Sequence, residues 1–228
     1  VVHTPARREV HFTKEMLPNY VEPFADGVLD FADKKGLQYD LIHAHYWLSG
    51  LAGQKLKDAW GVPMLQMFHT LGLIKQQIGR TPEEREGEDR IKGEKRAMRS
   101  ADRIIASTQS EKNQLETFYD LNPQKISVIP PGVNVHHFYP IPQDEAKGAI
   151  GISAADRMAL FVGRIEPLKG VDTLIRAMAH VKENCVSFRC PHYLVIIGGD
   201  PNGESEDTTA EMERLQSLCK TLGLDEIV

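Results

Sequence analysis

Two permanent cations, Arg164 and Lys169, stand five residues apart in Gly163-Arg164-Ile165-Glu166-Pro167-Leu168-Lys169-Gly170, just before a helical pattern that starts at Val171. An arginine fork and a lysine point charge beside helix N-terminal amides suit the oxygens of a diphosphate. The same composition also fits a surface Arg and Lys flanking a tight turn. Neither a Walker loop nor a Gly-x-Gly-x-x-Gly dinucleotide fingerprint occurs in the chain. Three further segments carry reactive or glycine-rich residues: His43-Ala44-His45-Tyr46-Trp47, Phe68-His69-Thr70-Leu71-Gly72 and Gly198-Gly199-Asp200. A two-carboxylate hydrolase would need an Asp/Glu pair on one site, and no such pair stands out. Cys185, Cys190 and Cys219 form an odd, sparse set, which points to a reducing compartment and not to a disulfide framework. With only His192 nearby, buried free thiols are a better reading than zinc ligands.

In open parallel sheets, ligands bind outside the carboxyl ends of the strands, so these loops matter if strands precede them. Short β-branched runs predict strands over Asp40–His43, Met64–Phe68, Arg103–Ala106, Lys125–Ile129, Ala159–Val162 and Tyr193–Ile197. Between them lie helical faces: Leu17, Val21, Phe24, Val28 and Phe31; Val171, Leu174, Ile175, Met178 and Val181; Met212, Leu215, Leu218 and Leu222. Strand–helix–strand alternation predicts an α/β protein with parallel sheets covered by helices. The alternation breaks at Pro130-Pro131-Gly132 and restarts near Arg157. The expected organisation is therefore a first unit over 1–134, a linker over 135–155 and a second unit over 156–228. The mixed-charge run Glu83 to Arg99 reads mainly as a solvated helix face.

Of the 228 residues, 26% are charged and 41% hydrophobic, which excludes a disordered or collagen-like chain. The net charge of −5 argues against a nucleic-acid-coating protein. The apolar runs are far shorter than the roughly 18 residues a membrane span needs. Arg7, Arg8 and Lys14 leave a peripheral membrane contact open. A start at Val1 and an end where Leu224 to Val228 reads as a new strand suggest a segment of a longer protein.

Phe161-Val162-Gly163-Arg164-Ile165-Glu166-Pro167-Leu168-Lys169-Gly170-Val171-Asp172 resembles the donor-diphosphate motif of glycosyltransferase family 4. Val128 to Asn134 followed by Phe138 and Pro140 looks like that family's interdomain crossing, and Ala101-Asp102 to Thr108 with Ser110-Glu111 is also similar. His43 to Gly50 and Phe68 to Gly72 resemble the branch holding the sucrose-phosphate synthases and the D-inositol-3-phosphate glycosyltransferases. The resemblance spans essentially the whole chain. It implies the GT-B fold, two Rossmann-like doubly wound parallel-sheet domains, both incomplete here. A glycine-rich loop would precede Val1, and a Glu-x7-Glu motif would follow Val228.

The resemblance also implies roles. Arg164 and Lys169 would neutralise the diphosphate of a leaving nucleotide, in place of a divalent metal, and His69 would lie beside the donor sugar. Lys14, Tyr46, Thr70 and Arg90 match the positions that bind an acceptor phosphate in the inositol-phosphate branch. One of His43 and His45 would face the sheet and support its loop. The implied activity is retaining transfer of a hexosyl group from a nucleotide sugar, a UDP-sugar by this resemblance, to a small phosphorylated acceptor. The leaving phosphate itself would accept the acceptor's proton. No resident cofactor, no metal and no nucleic-acid partner are expected; the site would be cytoplasmic, and a homodimer is compatible. Sucrose synthase-like and lipid- or polysaccharide-directed enzymes, and a non-catalytic nucleotide-binding GT-B domain, stay open as alternatives.

Overall fold

A computed structural model describes residues 14–79, 85–184, 192–198 and 206–228; for 14, 15 and 206–209 it describes the backbone alone. A 3-10 helix (Lys14–Tyr20) leads into α1 (Val21–Lys35), followed by β1 (Ile42–His45), α2 (Trp47–Trp60), β2 (Met64–Met67), α3 (Gly72–Ile78), α4 (Glu88–Ser100), β3 (Arg103–Ala106), α5 (Gln109–Tyr119) and β4 (Ile126–Val128). Then come α6 (Gln143–Ala149), β5 (Arg157–Val162), α7 (Val171–Asn184), β6 (His192–Ile197) and α8 (Glu206–Thr221). The chain divides into two compact units, Val1–Gly132 and Val133–Val228.

In the first unit β1-β2-β3-β4 form one parallel sheet in chain order. Period-two alternation aims Ile42, Ala44, Met64, Ile104 and Ile126 at the helices, where they join Ala25, Leu56, Ala97, Met98 and Leu115 in one core. Pro18 falls in the 3-10 turn, and Pro23 in the first turn of α1, where a missing N–H costs nothing. Gly36 closes α1 in the left-handed conformation, its N–H reaching the carbonyls of Ala32 and Asp33. Asp102, in the turn before β3, accepts from the Met64 N–H at 2.7 Å and from Lys57 at 2.7 Å. That residue of the quoted motif therefore ties sheet to helix.

α2 crosses α4 at glycines. A Cβ on Gly93 would lie 2.4 Å from the Trp47 ring, and one on Gly50 would lie 2.7 Å from the Ala97 Cβ. Gly93→Ala is therefore expected to cost about 1–3 kcal/mol through overpacking, read as a lowered thermal midpoint; an unchanged midpoint would contradict this packing.

In the second unit β5 and β6 pair in parallel, and α7 packs against α8. Ile165, Val171, Ile175, Leu194, Leu215, Cys219 and Leu224 form its core. Within the stretch read as linker, α6 forms, and Lys147 binds the carbonyls of Ala154 and Asp156. Leu224 to Val228, expected to begin a strand, forms a turn in this chain. Gly223 reverses the chain at φ +63°, Leu224 is fully buried, and the Ile227 carbonyl accepts from the Leu194 N–H. Cys219 is a buried free thiol, its pKa raised by burial and by Asp225. Arg7, Arg8, Cys185, Cys190, Gly199 and Asp200 lie outside the described residues. Among the described residues no helix is long and apolar enough to cross a membrane.

Candidate functional site

The His43–Trp47 and Phe68–Gly72 segments leave the carboxyl ends of adjacent parallel strands, β1 and β2. Tyr46 and His69 are two of only three non-glycine residues with positive φ among the described residues, at +73° and +62°. Such strain costs about 1–3 kcal/mol and gathers at functional sites. At Tyr46 the sheet enforces it. The Tyr46 N–H donates to the Met67 carbonyl at 2.8 Å, and the buried Gln66 amide donates to the carbonyls of Tyr46 and Met67 at 3.2 and 3.0 Å. Fully buried Phe68 anchors the second loop and leaves His69 and Thr70 exposed.

His43 and His45 both project from one exposed face of β1, because two residues apart on a strand means the same side. Neither faces the core, contrary to the expectation for one of them. His45 Nδ1 lies 2.8 Å from His69 Nε2, and the two rings stack at 5.1 Å. Partial burial, then the neighbouring His43 and His69, lower the His45 pKa and favour its neutral form. Among the described residues no group of three or more His, Cys, Asp or Glu could hold a metal ion.

Arg90 does not belong to a solvated face. The helical stripe Arg90, Gly93, Glu94, Ala97 and Met98 is buried, with Arg90 4% and Glu94 0% exposed. Arg90 Nε donates to Glu94 at 2.9 Å, Nη1 to Glu86 at 2.5 Å, and Nη2 to the Thr70 hydroxyl at 2.8 Å and carbonyl at 3.1 Å. Its guanidinium carbon lies 5.2 Å from the centroid of the Tyr46 ring. Burial alone would depress the Arg90 pKa; the hydrogen bond and charge of Glu94, with Tyr46 and Glu86, outweigh it and raise the pKa. Tyr46, Thr70 and Arg90 are thus brought together. The Lys14 side chain lies outside the described residues. Sequence reasoning missed Glu86, Glu94, Gln66, Lys75 and Tyr119. Lys75 pairs with Glu86 at 3.0 Å, and the Tyr119 hydroxyl donates to Glu94.

In the second unit the Gly163–Gly170 loop joins β5 to α7. Its backbone runs so close to the end of β6 that a Cβ on Gly198 would lie 1.9 Å from the Gly163 carbonyl oxygen. Ile165 is buried, and Gly170 turns the chain into α7 at φ +68°. The side chains of Arg164 and Lys169 stay exposed, Arg164 pairing with Glu166 at 2.6 Å.

Two open parallel sheets with polar loops at their carboxyl ends are the architecture of nucleotide-sugar enzymes of the GT-B type, and comparison with known proteins gives the family. The family model described as Glycosyltransferase Family 4 matches residues 3–137, and the one described as Glycosyl transferases group 1 matches residues 142–227. The chain belongs to glycosyltransferase family 4. It is 38% identical over 229 residues to a D-inositol 3-phosphate glycosyltransferase of Nocardiopsis dassonvillei, covering all of this chain and 52% of that protein. A namesake from Actinosynnema mirum is 37% identical over 216 residues, covering 94% and 51%. The solved sucrose-phosphate synthase of Thermosynechococcus elongatus superposes with a TM-score of 0.80 at 28% identity, over all of this chain and 53% of that one. The chain spans about half the length of the curated relatives it matches.

Proposed function

We propose that the full-length protein is a retaining glycosyltransferase that moves a hexosyl group from a nucleotide sugar, a UDP-sugar by family likeness, to a small phosphorylated acceptor. The observation that carries this reading is the convergence of Tyr46, Thr70 and Arg90, from three separate segments, at the carboxyl ends of β1 and β2. Two hydroxyls beside a guanidinium offer donors and charge for a phosphate. The relatives named for inositol 3-phosphate support the same class of acceptor.

In this reading Thr70 and Tyr46 donate hydrogen bonds to the acceptor phosphate while Arg90 supplies the positive field. His69, held out of the sheet by its backbone, lines the donor-sugar side. Arg164 and Lys169 meet the nucleotide diphosphate and stabilise the charge that builds on it as the glycosidic bond breaks. The departing phosphate oxygen takes the acceptor's proton, so no protein base is required, and the two cations do the work of a divalent metal. A second reading keeps Arg90 as a brace, because Glu86 and Glu94 already engage its guanidinium.

A donor-by-acceptor screen of the full-length protein with product identification by mass spectrometry tests the proposal. It is expected to return a glycosylated phosphorylated acceptor and none of its dephosphorylated counterpart. Transfer only to the dephosphorylated compound would reject the acceptor class. Excess chelator is expected to leave the rate largely intact, and complete loss restored by magnesium or manganese would contradict the proposed metal independence.

A further inference from the structure

The first N–H groups of a helix need acceptors, and α3 supplies none from its own N-cap, Leu71. Two distant side chains do the work. Glu94, from α4, accepts the Gly72 N–H on both oxygens, at 2.9 and 3.0 Å, and the Tyr119 hydroxyl, from the end of α5, accepts the Leu73 N–H at 3.1 Å. The two partners are themselves joined, since Tyr119 donates to Glu94, and Glu94 also accepts from Arg90 Nε. A Cβ on Gly72 would lie 3.1 Å from the Glu94 carboxylate, so the backbone is drawn tightly onto it.

We infer that Glu94 and Tyr119 are positioning residues for the acceptor site, fixing the His69–Thr70 loop and Arg90 as one unit. The inference rests on the acceptor reading above. It follows from where the hydrogen bonds run. Glu94 grips the chain two residues after Thr70, and the same carboxylate holds the guanidinium that bonds Thr70. Loop and cation therefore cannot shift independently while these hydrogen bonds hold. Burial and then the bond to Glu94 keep the Tyr119 hydroxyl protonated, raising its pKa. A buried carboxylate with three donors around it is well satisfied; a merely structural one would have no reason to bridge both halves of the candidate site.

The test uses Tyr119→Phe in the full-length protein, with Glu94→Gln as the harsher variant and Thr70→Val as a reference. Calorimetry with inositol 3-phosphate, in the presence of UDP, gives the dissociation constant; amide hydrogen exchange reports on the Leu73 N–H. Removing the hydroxyl ends its bonds to both Leu73 and Glu94, and is expected to raise the dissociation constant about fivefold to tenfold and to speed Leu73 exchange by a similar factor. Exchange in β3 is expected to stay unchanged. Faster exchange with unaltered affinity in Tyr119→Phe, while Thr70→Val weakens binding, would overturn the positioning role and leave the acceptor site standing. Unaltered Leu73 exchange would overturn it outright. Affinity unaltered in both variants, or no binding by the unmodified protein, would remove the acceptor reading and the inference with it.

Discussion

Arg90→Ala is expected to lower the unfolding free energy by about 3–5 kcal/mol, the usual cost of removing one partner from a buried ion pair. The loss comes from Glu86 and Glu94, whose side chains are 6% and 0% exposed and would be left without the cation between them. Lys92 sits two residues along the same helix and pairs with Glu88, both side chains well exposed. Lys92→Ala is expected to change stability by less than about 0.5 kcal/mol. Denaturant titration of the two variants measures the contrast. Equal small effects would return Arg90 to the solvated face that its charged neighbours first suggested.

The second large effect is on turnover. Arg164→Ala or Lys169→Ala in the full-length protein is expected to reduce kcat by about 100-fold or more, because in the proposed reaction each cation would act on charge that appears only as the leaving group departs. Arg164 now pairs with Glu166, but its side chain is 79% exposed, and such a surface pair holds a side chain weakly enough for a diphosphate to displace it. Steady-state kinetics at saturating donor and acceptor decide the matter. Near-normal turnover in either variant would remove these residues from the diphosphate site and leave them as loop charges.

The β/α alternation was legible because parallel strands buried among helices read as short apolar runs. Arg103–Ala106 falls on β3 itself, and the other strands lie within two residues of their expected ends. The loops after β1 and β2 were legible from their residue types, since His, Tyr and Thr at strand ends have little packing use. What stayed hidden was the support beneath them. The buried stripe of α4 is Arg90, Gly93, Glu94 and Ala97, and a hydrophobic period cannot show a face whose burial is supported by ion pairs. Tyr119 lay at the end of an ordinary helix, and its bond to Leu73 joins residues 46 positions apart. The positive φ of Tyr46 is likewise imposed from a distance, by hydrogen bonds across the sheet. Leu224–Val228 has the apolar composition of a strand, and in this chain Gly223 and the contact with β6 set it as a turn.

The central claim is that Tyr46, Thr70 and Arg90 make an acceptor-phosphate site, and ligand affinity tests it most directly. Binding of inositol 3-phosphate and of inositol to the full-length protein, with UDP present, isolates the phosphate as the one difference. The phosphorylated compound is expected to bind at least about tenfold tighter, since a hydrogen bond to a charged group contributes roughly 1.5–3 kcal/mol. Thr70→Val is expected to narrow that gap. Equal affinity for the two compounds, or a gap that Thr70→Val leaves untouched, would contradict the claim.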